Sequence, residues 1–404
     1  MTQPLIAILA DDLTGAADTA AGLLALGRPL VTWPRSDGTI TWHDEDRIVS
    51  IDAGTRQATP AEAANRIRDL AVLFRTAGFA HLYKKVDSTL RGHIGVEVKA
   101  ALEGWREGSL AVVAPAFPAM GRTTVDGRQR VGDTALDGPP VAERLASAAV
   151  PVTTLALADV RGGVLDRIFR ARAEAGNRAI VCDAVTDVDL AAIAAAGAML
   201  EAAVVWVGSG GLARRLFTDS NPSRHQMQIS HPIPSGPVLV VAGSLTAITG
   251  SQAASVAAAG AMPVTVSAED LSTTRSPALG RSRDEIEHHL RAGMDVVVTI
   301  GRPHAATAAD TALVDQLARM LNSCQSLIGG IVATGGDTAA ALLKRWGIRG
   351  LRLIGEVETG VPIGLAIGPR PLIVALKAGG FGHDATLALA RTAVRSFLRC
   401  SLAP

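Results

Sequence analysis

Aromatic residues make up only 3% of this 404-residue sequence, with one tyrosine among them. A core of packed rings is therefore excluded. With hydrophobic residues at 48%, the interior must be built from Ala, Val, Leu and Ile, as in layered α/β folds whose parallel strands are buried on both faces. Cysteine is scarce too. Cys182, Cys324 and Cys400 stand far apart with no CxxC spacing, which argues against a zinc site, a redox motif or a disulfide framework and for a reducing cytoplasm. No apolar run reaches the roughly 18 residues of a membrane span, and MTQPLIAILADDL lacks the basic start of a signal peptide. A soluble, cytoplasmic protein is expected. Net charge is nearly absent, at +1, so there is no massed basic face for nucleic acid or a membrane surface. Neither GxxxxGK[ST] nor a complete GxGxxG occurs, which removes the P-loop and the standard dinucleotide fingerprint.

What the sequence does contain is alternation. A chain of 404 residues exceeds the roughly 250 to 300 at which one hydrophobic core stops growing, so two domains are expected. In the first half, short apolar runs at 5–10, 48–51, 81–86, 110–114, 152–157, 179–183 and 203–207 read as strands. Helical stretches such as 16–26, 60–76 and 187–196 separate them. Between Thr218 and Pro237 four prolines interrupt any period. Beyond this break, strands are expected at 238–242, 263–266, 296–300, 330–333, 350–354 and 372–376. The reading is two α/β domains with largely parallel sheets, residues 1–220 and 238–404, joined by a linker at 221–237, with the active site in the interdomain cleft.

Three glycine-rich turns mark strand-to-helix junctions in the second half. Glycine lets backbone approach an anion closely, and a helix start offers unpaired N–H groups. In ATGGDTAAALL, Gly335, Gly336, Asp337 and Thr338 could cradle phosphate, with Asp337 able to hold Mg²⁺ or accept a proton; equally, the pair of glycines could make a tight turn with Asp337 as an ordinary cap. The hydroxyls of Gly243-Ser244-Leu245-Thr246 suit phosphate or ribose, or simply an N-cap. In LKAGGFGHDATL, Gly379, Gly380 and Gly382 are more glycine than one turn requires, which favours close approach to a ligand.

The first half carries different chemistry. Asp11 and Asp12 follow the first strand, at the edge where open α/β sheets bind ligands. Lys84, Lys85, Asp87, Ser88 and Arg91 follow another strand, and Arg56 a third. Arginine's planar fork matches a carboxylate, such as a small sugar acid would offer. Singly, Lys84 or Lys99 would be expected on a solvated face. The segment 114–133, with Arg122, Asp126, Arg128 and Arg130, reads as an irregular functional loop or a surface insertion. His288 and His289 do not match HExxH and are expected to be solvated.

Six motifs in order, ADDLTGAADTA, YKKVDSTLRGHIGVE, APAFPAMGRTTVDG, GSLTAITGSQ, ATGGDTAAALL and LKAGGFGHDATL, resemble those of the four-carbon acid sugar kinase family over nearly the whole chain. The resemblance implies an N-terminal domain for a tetronate-type acid, a C-terminal domain for ATP, and transfer of the γ-phosphoryl group to the 4-hydroxyl of D-threonate, D-erythronate, L-threonate or 3-oxo-tetronate. Carried onto this sequence, it implies nucleotide contacts at Ser244, Gly335, Gly336, Asp337, Thr338, Gly379 and Gly380. Substrate contacts are implied at Asp12, Arg56, Lys85, Asp87, Ser88 and Arg91. Asp12 and Asp337 are the candidate catalytic carboxylates, Mg²⁺ is expected with ATP, and its ligands are not identified. A homodimer is compatible with so Ala-rich a chain. The rival readings are a nicotinamide-dependent hydroxy-acid dehydrogenase, which the missing fingerprint disfavours, and a non-enzymatic sensor of a small acid.

Overall fold

Strand and helix alternate because apolar runs bounded by Gly, Asp and Ser give way to alanine-rich amphipathic stretches. The computed structural model describes residues 5–35, 37–216, 235–244, 246–273, 276–301 and 311–400. Two compact units divide the chain, Met1–His225 and Gln226–Pro404. Residues 221–234 of the expected linker lie outside the described residues, as does Leu245.

In the N-terminal unit the strands are β1 (Ile6–Ala10), β2 (Leu30–Thr32), β3 (Ile48–Asp52), β4 (His81–Lys85), β5 (Leu110–Ala114), β6 (Arg122–Val125), β7 (Arg128–Val131), β8 (Thr134–Ala135), β9 (Val152–Leu155), β10 (Ala179–Cys182) and β11 (Val204–Gly208). The order β2-β3-β1-β4-β11-β5-β10-β9 forms a parallel sheet. Strands β1, β3 and β5 are buried at every position, as a sheet covered on both faces requires. The Leu13–Ala21 helix is buried all round, which its small residues permit. A rare aromatic cluster closes one flank, with Phe74 and Phe79 ring centroids 4.7 Å apart and Trp42 5.3 Å from Phe74; each such pair contributes about 0.5–1.5 kcal/mol beyond its burial.

Residues 114–133 are not the irregular loop expected from sequence. After a short 3₁₀ turn, β6 and β7 pair as an antiparallel hairpin. Asp126 and Gly127 at its tip have φ of 52° and 69°, the doubly positive geometry of an Asp-Gly hairpin turn. The carboxylate of Asp183 holds that tip by accepting from the backbone N–H groups of Asp126 (2.7 Å) and Gly127 (2.9 Å).

The C-terminal unit contains β12 (Val238–Ala242), β13 (Met262–Val266), β14 (Val296–Ile300), β15 (Gly330–Thr334), β16 (Gly350–Glu356), β17 (Pro362–Ile367) and β18 (Ile373–Lys377). Strands β13-β14-β12-β15-β18 run parallel, and β17 and β16 continue the sheet antiparallel. Its core joins valines of β12 and β15 to the Thr386–Cys400 helix through Leu387, Ala390 and Val394. No helix among the described residues is long and apolar enough to cross a membrane.

Candidate active site

Strands β3, β1 and β4 are neighbours, so the turns at their carboxyl ends meet, and these turns carry Arg56, Asp11 with Asp12, and Asp87 with Ser88. Asp12 caps the Leu13–Ala21 helix: its Oδ1 accepts from the Gly15 N–H and its Oδ2 from the Thr14 hydroxyl, both at 2.8 Å. Asp11 does not cap. It takes the Arg56 fork instead, from Nε at 2.8 Å and Nη2 at 3.0 Å. Arg56 Nη1 reaches Asp12 at 2.6 Å, and Nη2 lies 3.6 Å from Asp87. Three carboxylates thus surround one guanidinium, which must be rigidly held because its donors are consumed in the plane of the fork.

Asp87 accepts from Arg91 through Nε (2.8 Å) and Nη2 (3.0 Å), and from the Thr89 hydroxyl. Burial alone would push its carboxyl upward, but the Arg91 hydrogen bond and the Arg56, Arg91 and Lys85 charges hold it far below the ordinary carboxylate range. Asp12 is also lowered, because Arg56, Lys85 and the Thr14 bond outweigh its burial. For Asp11 burial prevails over Arg56, and the neighbouring Asp12 charge adds to it, so that carboxyl is raised. Adjacent acids thus differ in environment and in the tendency to hold a proton.

Lys84 and Lys85 point to opposite faces of β4. Contrary to the solvated face expected of it, Lys84 is enclosed, its ammonium 2.8 Å from Glu97 and donating to the Lys85 carbonyl at 2.7 Å. Lys99, by contrast, is 44% exposed. Lys85 is only 4% exposed, yet among the described residues its ammonium has no hydrogen bond or ion pair. It lies beside Gly15, where a Cβ would come 2.7 Å from Nζ. Ser88 is likewise a buried residue, and its hydroxyl makes no hydrogen bond among the described residues. Gln129 of the hairpin binds the Ser88 carbonyl at 2.9 Å, fixing β7 against this turn.

In the C-terminal unit the same geometry recurs. The glycine turns follow β12, β15 and β18, which are adjacent, so all three converge. Gly335 has φ of 95° and precedes the Gly336–Arg345 helix; a Cβ there would lie 3.7 Å from the Ser244 nitrogen. A Cβ at Gly379 would come 2.5 Å from Ser244 Oγ, and one at Gly243 would collide with Thr338. Packing therefore explains Gly379, and φ of 83° with the Thr386 side chain nearby explains Gly382. Gly380 remains: it is exposed, and a Cβ there would meet nothing within 4 Å. Asp337 is exposed in the first helical turn, whereas Thr338 is 3% exposed.

Lys377, at the end of β18, was not singled out by the sequence reading. Fully enclosed, its ammonium donates to the carbonyls of Ala378 (2.9 Å), Gly379 (3.2 Å) and Phe381 (3.0 Å), gathering the turn around itself. Burial, opposed by Glu358, lowers it to about 8. Thr249 and Gln252 brace the same turn, the former donating to Gly379 at 3.1 Å and the latter to Phe381 and His383 at 3.1 and 2.9 Å. A lysine closing an apolar strand just before Gly-Gly was the available signal.

An acid-and-base cluster on one α/β unit and a glycine cradle on another are the working parts of a phosphotransferase. Residues 6–216 match the family described as sugar-binding N-terminal domain, and 239–387 that described as nucleotide-binding C-terminal domain. The chain is 38% identical to a D-threonate kinase of Cupriavidus necator, over 94% of this chain and 95% of the relative. It is 32% identical to a D-threonate kinase of Bordetella bronchiseptica, over 98% of each. A solved structure from Salmonella typhimurium has the same fold, with a TM-score of 0.77 at 22% identity over 96% of this chain and 99% of the other. The chain belongs to the four-carbon acid sugar kinase family.

Proposed function

We propose that the protein transfers the γ-phosphoryl group of ATP, with Mg²⁺, to the 4-hydroxyl of a four-carbon sugar acid, D-threonate foremost. The observation that carries this reading is the convergence of the glycine turns on Ser244 at the ends of three adjacent strands. The names of the two kinase relatives support the choice of acid.

In this reading Gly336, Asp337 and Thr338, at the start of their helix, present backbone N–H groups to the phosphates, Gly335 shapes the turn with its own N–H given to the Lys377 carbonyl at 3.0 Å, and the bare backbone of Gly380 approaches them from the third turn. Lys377 keeps that turn in shape from beneath. Mg²⁺, when bound, neutralises charge on the phosphate oxygens, and it commonly takes one or two carboxylates besides them, which suits the exposed Asp337. Lys85, Ser88 and the outer edge of Arg91 hold the acceptor, the cations meeting its carboxylate. Arg56 sets the spacing of Asp11, Asp12 and Asp87. Asp12, ionised at neutral pH, orients the acceptor hydroxyl. A weak base suffices where the bond to the leaving group is largely broken in the transition state. Positioning of this kind can supply roughly 7 to 11 kcal/mol of barrier reduction, provided the hydroxyl reaches the phosphorus in line.

We place the enzyme in the cytoplasm, where ATP and buried free thiols such as Cys182 and Cys324 coexist. We also expect a homodimer, and light scattering tests it. Coupled measurement of ADP release across D-threonate, D-erythronate, L-threonate and 3-oxo-tetronate tests the substrate. The highest kcat/KM is expected for D-threonate; a tenfold preference for another member reassigns the acid, and ADP release with none of them defeats the reading.

A further inference from the structure

We propose that Gln129 of the β6–β7 hairpin is a positioning residue for the reaction, setting through the Ser88 carbonyl the turn that presents the Ser88 hydroxyl to the acceptor. The inference rests on the acceptor role given to Ser88 above and adds what holds that turn in place.

The turn needs holding. Leu90 has φ of 61°, and its N–H donates to the Asp87 carbonyl at 2.8 Å, so the chain reverses through a bulky residue in the left-handed region. Leucine is strained there, and such backbone persists only where its surroundings over-determine it. The strained position lies between Ser88 and Arg91, both given to the acceptor above.

Gln129 supplies the constraint from outside the turn. It is 2% exposed, and its Nε2 donates to the Ser88 carbonyl at 2.9 Å and to the Pro115 carbonyl at 3.2 Å. Those carbonyls follow β4 and β5, which β11 separates, so a single amide spans the end of the intervening strand. Both carbonyls only accept, and Gln129 Oε1 takes the Thr124 hydroxyl at 2.7 Å, so one orientation of the amide satisfies all three bonds. Thr124 is pinned in turn, its backbone exchanging bonds with Ala184 at 2.8 and 3.0 Å. The same face of the hairpin brings Arg122, two positions from Thr124 on β6, under the influence of the Asp87 charge. Any apolar side chain could pack the hairpin down. A buried amide whose donors reach two separate turns fixes the distance between them.

A double-mutant cycle in the full chain, Gln129→Met with Ser88→Ala, tests the assignment through kcat/KM for D-threonate and KM for ATP. Methionine keeps the volume and removes the bonds. Gln129→Met should lower kcat/KM for the acid about tenfold with KM for ATP within about twofold of wild type, and in the Ser88→Ala background it should cost no more than about twofold further. Thr124→Val releases the amide without touching either turn, and it should move the same parameter in the same direction even where Gln129→Met folds poorly. Losses from Gln129→Met and Ser88→Ala that multiply independently would make Gln129 a packing residue and overturn the inference. So would an unchanged kcat/KM in both Gln129→Met and Thr124→Val. If Ser88→Ala itself leaves kcat/KM unchanged, the acceptor role of Ser88 falls and the positioning role with it. A wild-type protein inactive on every tetronate would instead overturn the kinase reading, and this one with it.

Discussion

The ammonium of Lys84 sits 2.8 Å from Oε2 of Glu97, both side chains enclosed in the N-terminal unit. Its neighbour Lys85 is also buried; among the described residues its ammonium makes no hydrogen bond or close ion pair, although its charge acts on Asp12 and Asp87. Adjacent positions on opposite faces of the strand thus separate a cation paired within the fold from one whose ammonium keeps its hydrogen-bonding capacity at the carboxylate cluster. Removing one member of a buried pair typically costs about 3–5 kcal/mol, because a charge is left stranded. Lys84→Met should therefore lower the urea midpoint strongly, and Lys84→Met with Glu97→Leu should recover most of it. Lys85→Met should lower the midpoint far less than Lys84→Met and raise KM for the sugar acid at least tenfold. Equal destabilisation by both single variants would show that the two lysines do not divide these roles.

Arg56 is the second test. With its fork shared by Asp11 and Asp12 and its Nη2 3.6 Å from Asp87, its loss leaves three carboxylates facing one another. Lysine cannot restore planar, bidentate contact. Arg56→Lys should reduce kcat/KM for the acid by 100-fold or more while the thermal shift with ATP is retained. Activity within threefold of wild type would mean the fork is dispensable.

The glycines of the third turn separate packing from ligand contact. Gly379→Ala pushes a methyl group toward Ser244 Oγ and should lower both melting temperature and ATP affinity. Gly380→Ala meets only open space, so stability should hold while KM for ATP rises several-fold. An unaltered KM in Gly380→Ala removes that residue from the phosphate cradle.

Much of this architecture was legible because parallel strands buried on both faces are continuous apolar runs. Strands 110–114, 238–242 and 296–300 and helix 60–76 have the expected bounds. Strand β2, only Leu30–Thr32, is too short for any period to register. The β6–β7 hairpin was hidden by its arginines, although Asp126-Gly127 is the usual signature of a two-residue hairpin loop. Proximity is what a linear reading cannot supply. That Asp11 pairs with Arg56 while Asp12 caps follows from β1 lying beside β3. The difference between Lys84 and Lys85 follows from which face of β4 meets the Glu97 helix.

Lys377 makes nucleotide binding sensitive to pH. Burial, its largest influence, depresses the ammonium to about 8, against an opposing pull from Glu358. As pH rises through that value the amine loses a donor and the Ala378–Phe381 carbonyls lose part of their tether. KM for ATP should accordingly rise between pH 7 and 9. The stability effect has the opposite sign: between about 8 and the ordinary lysine value near 10.4 the unfolded chain binds more protons, so this group's contribution rises with pH. Lys377→Met should abolish the change in KM; a variant that keeps the wild-type profile assigns it to another group.

The central claim is phosphoryl transfer to the far end of a four-carbon acid. The most direct measurement is ³¹P NMR and mass spectrometry of the product formed from D-threonate and Mg·ATP. One phosphomonoester per ADP is expected, its phosphorus coupled to the two C4 protons. ADP accompanied only by orthophosphate, or phosphorus coupled to C2 or C3, would contradict it.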